Sequence, residues 1–282
     1  NVQKSSIQTI ANIKLIKSII GMQFNDGEAL KFTGYSNNDS VIYFHIPDKS
    51  QTINFVFGTP YPSGTVHCGA EGPAAIVDVT NPTTGETWMD RNLGASQQAT
   101  SSTDSLAYGD LYHWGRFSDG HQCRNSDTTS TLATTPMPNN SNSWDGKFIL
   151  SLSSNNFDWL TPQNDSLWQG LNGTNNPCPS GYRLPTKNEL NSERQSWSSN
   201  NVTGAYDSPL KLPVAGGRFS SSGSPSNVGS DGYYRSSTVD GYRAYSLYFF
   251  SNNAFMSSAS RAGGGSVRCL KDGSAQIGRA HV

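Results

Sequence analysis

The chain has 282 residues, of which 34% are hydrophobic and 15% charged, with a formal net charge of -1 and a mean hydropathy of -0.54. There is no basic excess to neutralise phosphates, which argues against nucleic-acid binding, and no apolar run approaches the roughly 20 residues that span a bilayer. Many Gly, Ser, Thr and Asn with few charges describe a loop-rich, β-containing protein of extracellular type rather than a helical enzyme, in one large domain or two small ones.

Ile7, Ile10, Ile13 and Ile16 recur every three residues, a helical spacing. Residues 31–33, 40–47 and 51–58 read as strands. Residues 1–58 are therefore expected to be a partial β-sandwich-like module. Residues 59–73 (TPYPSGTVHCGAEGP), rich in Pro and Gly, read as a linker. The main domain is expected over 74–272. Residues 276–282 can be encoded CAG-ATC-GGA-AGA-GCA-CAC-GTC, which resembles read-through into a sequencing adapter from an assembled metagenome, so 273–282 are expected to be non-native.

Within the main domain, 75–79 and 86–90 flank the turn NPTTG and predict a hairpin. Residues 118–155, dominated by Ser, Thr, Asn and Asp, form a long loop of the kind that is functional or mobile. Thr186 and Glu189 match a capping box, predicting a helix that starts there and runs to about Trp197. Residues 244–250 alternate with period two, which predicts a strand. Leu247 and Phe249 then face the core with Tyr245 half-buried beside them, and Tyr248 and Phe250 face outward.

Cys68, Cys123, Cys178 and Cys269 form no CxxC, so neither a zinc ribbon nor a thioredoxin motif has support. Four cysteines allow three full pairings. A Cys178–Cys269 bridge, between two framework-like segments, would tie the C-terminal strand to the middle of the domain and imply an oxidising compartment. Four buried thiols are the other reading.

Six words occur in order: WMDRNLGAS (88–96), YGDLYHWGR (108–116), NPCPSGYRLPTKNEL (176–190), LKLPVAGGR (210–218), YYRSST (233–238) and SVRCLKD (266–272). Together they resemble the Fibrobacter succinogenes major paralogous domain, common in surface proteins of gut Bacteroidetes. The resemblance implies an α+β fold similar to C-type lectin-like domains and the formylglycine-generating-enzyme family, with small antiparallel sheets and long loops. Some members resemble the variable proteins of diversity-generating retroelements, which display a rewritten C-terminal face on phage tails or cell surfaces. An AAC codon changed at its adenines reaches the residues at Asp231, Tyr242, Arg243, Tyr245, Ser246, Tyr248, Phe250, Phe255, Ser257, Ser260, Gly263 and Gly265. Arg235, where similar sequences usually carry Trp, does not follow that scheme.

Catalytic chemistry has little to stand on. No EPN, QPD or WND string supplies calcium ligands, and Asp110, Asp119, Asp158 and Asp165 are not clustered in sequence. Cys269 stands alone where a formylglycine-generating enzyme needs a cysteine pair. His113 and His121 flank Trp114 and Asp119, but no nucleophile sits in a GxSxG-like context. The expectation is a non-enzymatic binding or display domain without metal or cofactor, carrying no coiled-coil signature. Its protein or glycan ligand would contact Asp231, Tyr234, Arg235, Tyr242, Arg243, Tyr245, Tyr248, Phe250, Phe255, Ser257 and Ser260. The alternatives are an adhesin or structural domain of a surface lipoprotein without a diversified site, and a formylglycine-generating-type enzyme.

Overall fold

The computed structural model describes residues 61–69, 72–152, 154 and 157–273, and the backbone of five strands before them. The chain divides into two units, the second being Tyr61–Asp272. In the first unit, β1 (Ile7–Ile10), β2 (Ile19–Gln23), β3 (Ala29–Leu30), β4 (Ile42–His45) and β5 (Asn54–Phe57) pair as β1 with β4, and as β3-β2-β5. Ile7 and Ile10 lie opposite His45 and Ile42 in an antiparallel ladder, so the helical spacing does not produce a helix there. Isoleucine is β-branched, and its stiff side chain favours extended backbone. The expected strand at 31–33 and the non-native tail from 274 onward lie outside the described residues.

The second unit begins with the hairpin of β6 (Asp78–Thr80) and β7 (Thr87–Met89), in register Val79 to Trp88. Its turn is closed locally: the Asn81 carbonyl accepts from the Gly85 amide, and Asn81 Oδ1 from the Thr83 amide. Two short parallel segments follow, β8 (Thr128–Thr129) and β9 (Phe148–Ile149), then β10 (Tyr182–Arg183). Helix α1 (Lys187–Gln195) opens on the capping box, with Thr186 Oγ1 accepting from the Glu189 amide and Glu189 Oε2 accepting from the Thr186 amide. Helix α2 (Val202–Asp207), β11 (Gly217–Arg218) and β12 (Pro225–Ser226) lead into three long strands, β13 (Gly232–Asp240), β14 (Arg243–Phe250) and β15 (Asn253–Ser260). The last strand, β16 (Leu270–Lys271), returns between β10 and β7, so the first hairpin and the last strand share one sheet of order β10-β16-β7-β6. The architecture is α+β in this coarse sense, with few helices and several small antiparallel sheets.

Three apolar clusters hold these elements. One surrounds Trp114, Trp168 and the Cys178–Cys269 disulfide. A second fills the space between the helices and one face of the β13-β14-β15 sheet, with Trp88, Trp197, Tyr234, Leu247 and Phe249 at its centre. The third, with Trp144, Ile149 and Trp159, lies in and beside the long Ser- and Thr-rich segment, which is therefore packed over much of its length. Two disulfides, Cys68–Cys123 and Cys178–Cys269, account for all four cysteines. Such bonds belong to oxidising, extracellular-type environments. No helix among the described residues is long and apolar enough to cross a membrane.

The expected linker is largely part of this unit. Tyr61 is buried, and its hydroxyl donates to the Ala74 carbonyl. The Val66 amide donates to Ser118, Gln122 Nε2 donates back to Val66, and Cys68 is bonded to Cys123. Proline and glycine set the backbone of this stretch, while partners some fifty residues away dock it.

Candidate binding surface on the three-stranded sheet

Strand β14 carries two unlike faces. Leu247 and Phe249 have no exposed surface, and Trp197 meets Phe249 edge-on at 5.6 Å. The opposite face holds Tyr248 and Phe250, both half-buried. Register extends that face across the sheet: Tyr248 lies opposite Tyr233 of β13 and Phe255 of β15. The Tyr233 and Tyr248 rings stack at 4.7 Å with planes 12° apart. Phe255 stands perpendicular to Tyr248 at 5.2 Å and to Phe250 at 6.4 Å, and Phe250 tilts against Tyr248 at 5.2 Å. These offset and edge-to-face arrangements are the favourable ones for aromatic pairs. Ser257, one row further along β15, is half-buried, and Phe255 is exposed.

Asp231, just before β13, anchors the cluster from below. Its Oδ2 accepts from Tyr248 at 2.7 Å, from Asn227 Nδ2 at 2.8 Å and from Tyr233 at 3.2 Å. Burial, together with the adjoining Asp231 carboxylate, pushes the Tyr248 phenol upward, so it remains a neutral donor. Four aromatic rings are thus held in fixed positions on the wet side of a sheet whose other side is core.

The residues expected to bind ligand do not form one surface. Asp231, Tyr248, Phe250, Phe255 and Ser257 come together, with Asp231 as the support rather than the tip. Tyr234 is fully buried on the core side, stacked at 5.7 Å on Phe249, its hydroxyl donating to the Pro213 carbonyl. Its place on the open face belongs to Tyr233, and a one-residue difference in a strand exchanges the faces. Gly232 reveals that register: a Cβ there would overlap the Phe249 ring, so Gly232 and Tyr234 share the core side. A glycine opposite a core aromatic is the signal that could have identified Tyr233.

Arg235 has the parity of the open face yet is buried, because the 263–266 segment folds over it. Its Nη2 donates to the Gly263 carbonyl and its backbone amide donates to the Ser266 carbonyl. It therefore offers a ligand nothing. Tyr245 lies on the opposite side of β14, half-buried beneath Lys187, whose Nζ is 3.6 Å from the ring centroid. Tyr242, Arg243 and Ser260 stand at the far end of the sheet, about 23 Å from Phe250 at strand rise. There the Arg243 guanidinium covers Phe157 at 4.7 Å, and Ser260 Oγ donates to the Phe157 carbonyl.

Of the other polar groups singled out in the sequence, Asp110, His113, His121 and Asp158 are buried, and the exposed Asp165 pairs with Arg261. His113 and His121 are fully buried and stacked at 5.0 Å. Backbone amides occupy one nitrogen of each: Ile149 donates to His113 Nε2, and His113 donates to His121 Nε2. His121 Nδ1 pairs with Asp119 Oδ1 at 2.6 Å. Burial lowers both imidazoles, His121 to about 4 and His113 well below its ordinary value. Burial alone would raise Asp119, but His121 and Arg116 hold it well below the usual carboxylate range. Burial raises Asp110 to about 7 and Asp158 to about 6. Among the described residues no three His, Cys, Asp or Glu gather as a metal site. No family profile, curated protein or solved structure matches this chain.

Proposed function

We propose that residues 61–272 form a non-enzymatic ligand-binding domain, displayed on a bacterial surface or a phage tail, whose contact face is the aromatic cluster of Tyr233, Tyr248, Phe250 and Phe255. The observation that carries this reading is the asymmetry of β14 at its end, where Leu247 and Phe249 are core on one side and Tyr248 and Phe250 belong to a half-open aromatic platform on the other. Rigid aromatic residues among Ser, Asn and Gly are the makeup of contact surfaces that gain area without losing much side-chain entropy. A C-type lectin-like fold related to the Fibrobacter succinogenes major paralogous domain is supported by the shared sheet of first hairpin and last strand, the small antiparallel sheets and the long packed loops. Two disulfides favour display outside the cell.

The non-enzymatic reading is supported by sealed histidines and by Cys269, which is bonded to Cys178 and so offers no free thiol. Diversification would act where replacement leaves the scaffold intact: Phe250, Phe255 and Ser257. The test is a triple substitution, Tyr248→Ala, Phe250→Ala and Phe255→Ala, assayed on a glycan array and a panel of bacterial cells. Binding by the parent domain that disappears in a variant still folded supports the face. Binding that survives the triple substitution removes it.

A further inference from the structure

The aromatic face has a charge of its own. Asp231 accepts three hydrogen bonds on Oδ2, and among the described residues no protein donor meets its Oδ1 and no cation pairs with the carboxylate. Asp231 as a whole is buried, 8% exposed, and Oδ1 is its atom left open to solvent. The side chains that donate to the carboxylate, Asn227, Tyr233 and Tyr248, are neutral. The cluster also holds rings in two perpendicular orientations, since Phe255 stands at 90° to Tyr248 and 87° to Phe250. Aromatic faces carry a negative quadrupole and attract cations. Ring faces and an uncompensated carboxylate thus present the same sign to a partner.

We propose that this face recognises a basic segment of a partner protein, with an Arg or Lys side chain resting on the Tyr248, Phe250 and Phe255 rings and reaching toward Asp231. The inference rests on the binding reading above and specifies its partner. A guanidinium suits the site best, because its flat weakly hydrated surface stacks on rings while its N–H groups remain free for a carboxylate. An acidic partner would meet like charge at Asp231 and the repulsive side of each ring. Tyr233 and Tyr248 share the anchoring role: their hydroxyls hold the carboxylate in place from one side and leave the other side for the incoming donor.

The experiment uses three acetylated, amidated peptides in a Gly-Ser background, carrying two arginines, two glutamates or two leucines at the same positions, titrated against the full chain and against its Asp231→Asn, Phe255→Ser and Phe250→Ser variants. The arginine peptide is expected to bind most tightly and to weaken about tenfold with Asp231→Asn, since a charge-assisted hydrogen bond is lost. It should weaken again on raising the salt concentration. Asn keeps the shape and an acceptor for the tyrosine hydroxyls, and the exposed Phe255→Ser change provides a second variant that leaves that anchor alone. A leucine peptide that binds as tightly as the arginine peptide, and loses binding in Phe255→Ser, would overturn the cationic partner while leaving the contact face standing. An arginine peptide that fails to bind, or is indifferent to Asp231→Asn, also overturns it. Binding of every peptide that is indifferent to both phenylalanine substitutions would remove the contact face as well.

Discussion

A Cβ on Gly265 would stand 2.8 Å from Nε of Arg235. Arg235 therefore requires a glycine at 265: its side chain fills the space that a side chain there would need. Arg235 is buried without a carboxylate among its hydrogen-bond partners, its Nε has no acceptor, and burial pulls the guanidinium down to about 10. Gly265→Ala is expected to cost about 1–3 kcal/mol through overpacking. In an Arg235→Ala background the same change should cost at least about 1 kcal/mol less, the coupling expected of residues in contact. Denaturant unfolding of the four proteins measures this, and strict additivity would contradict it. Under the diversification proposed above, Gly265 would be a poor site while Arg235 is in place.

Acid and base limits are set by opposed groups in one core. His121 is lowered to about 4 from an unfolded value near 6.5, so its contribution is present above pH 6.5 and is lost as the pH falls toward 4. Asp110 is raised to about 7 from near 3.8, so its contribution is present below pH 4 and is lost as the pH rises toward 7. In wild type the two slopes oppose each other between pH 4 and 6.5. Asp110→Asn removes one of them. The variant should match wild type near pH 4 and exceed it in stability by more than about 1 kcal/mol at pH 7.5, because each tenfold change in a protonation equilibrium between the folded and unfolded chain is worth about 1.4 kcal/mol. Melting both proteins across that range checks it, and a constant gap would show that Asp110 does not titrate this way.

Features with local determinants were legible in the sequence. The NPTTG turn closes through Asn81 and Gly85, and the helix start is fixed by Thr186 and Glu189, all within a few residues of each other. The alternation at 244–250 placed Leu247 and Phe249 inward because that face of β14 is core at its end, although Ala244 and Ser246 on the other face are buried as well. What was not legible depends on distant chain. Tyr233 rather than Tyr234 faces out because Gly232 must pass the Phe249 ring seventeen residues on in sequence, and Arg235 is covered by a segment beginning at Gly263. Ile7 and Ile10 show the converse, a spacing that fits a helix in a segment whose β-branched residues pair across a ladder. The docked segment 61–69 looked like a linker because composition reports local stiffness, not partners.

The two disulfides should fail differently. Cys178–Cys269 lies in the apolar cluster with Trp114 and Trp168 and closes 91 residues of sequence separation. Replacing both cysteines by Ser should lower stability by about 2–5 kcal/mol. Cys68–Cys123 holds a peripheral segment whose described anchors are Tyr61, the Val66 amide and Gln122. Its removal should open residues 62–69 to limited proteolysis before the remainder of the domain unfolds. Simultaneous loss of both regions to protease in the Cys68→Ser, Cys123→Ser variant would show that the segment is integral to the core.

Neighbouring positions on the three long strands β13, β14 and β15 should tolerate replacement very unequally. Phe255 is exposed and Phe250 is half-buried, each touching only other members of the open cluster among its ring partners. Phe255→Ser, Phe250→Ser and Ser257→Tyr should each change stability by no more than about 0.5 kcal/mol, the usual range for positions away from core, caps and buried polar groups. Tyr234→Ser removes a fully buried ring stacked on Phe249 and leaves the Pro213 carbonyl and Asn92 Nδ2 short of a partner, which should cost about 3–5 kcal/mol. A library randomised at 234, 248, 250, 255 and 257, displayed and sorted for folded protein, reads all of these at once. Retention of an aromatic at 234, with broad replacement at 250, 255 and 257, is the expected result. Equal tolerance at 234 would place the core on the wrong side of β14, and strict retention at 250 and 255 in the absence of any ligand would make the aromatic platform a folding element instead of a contact face.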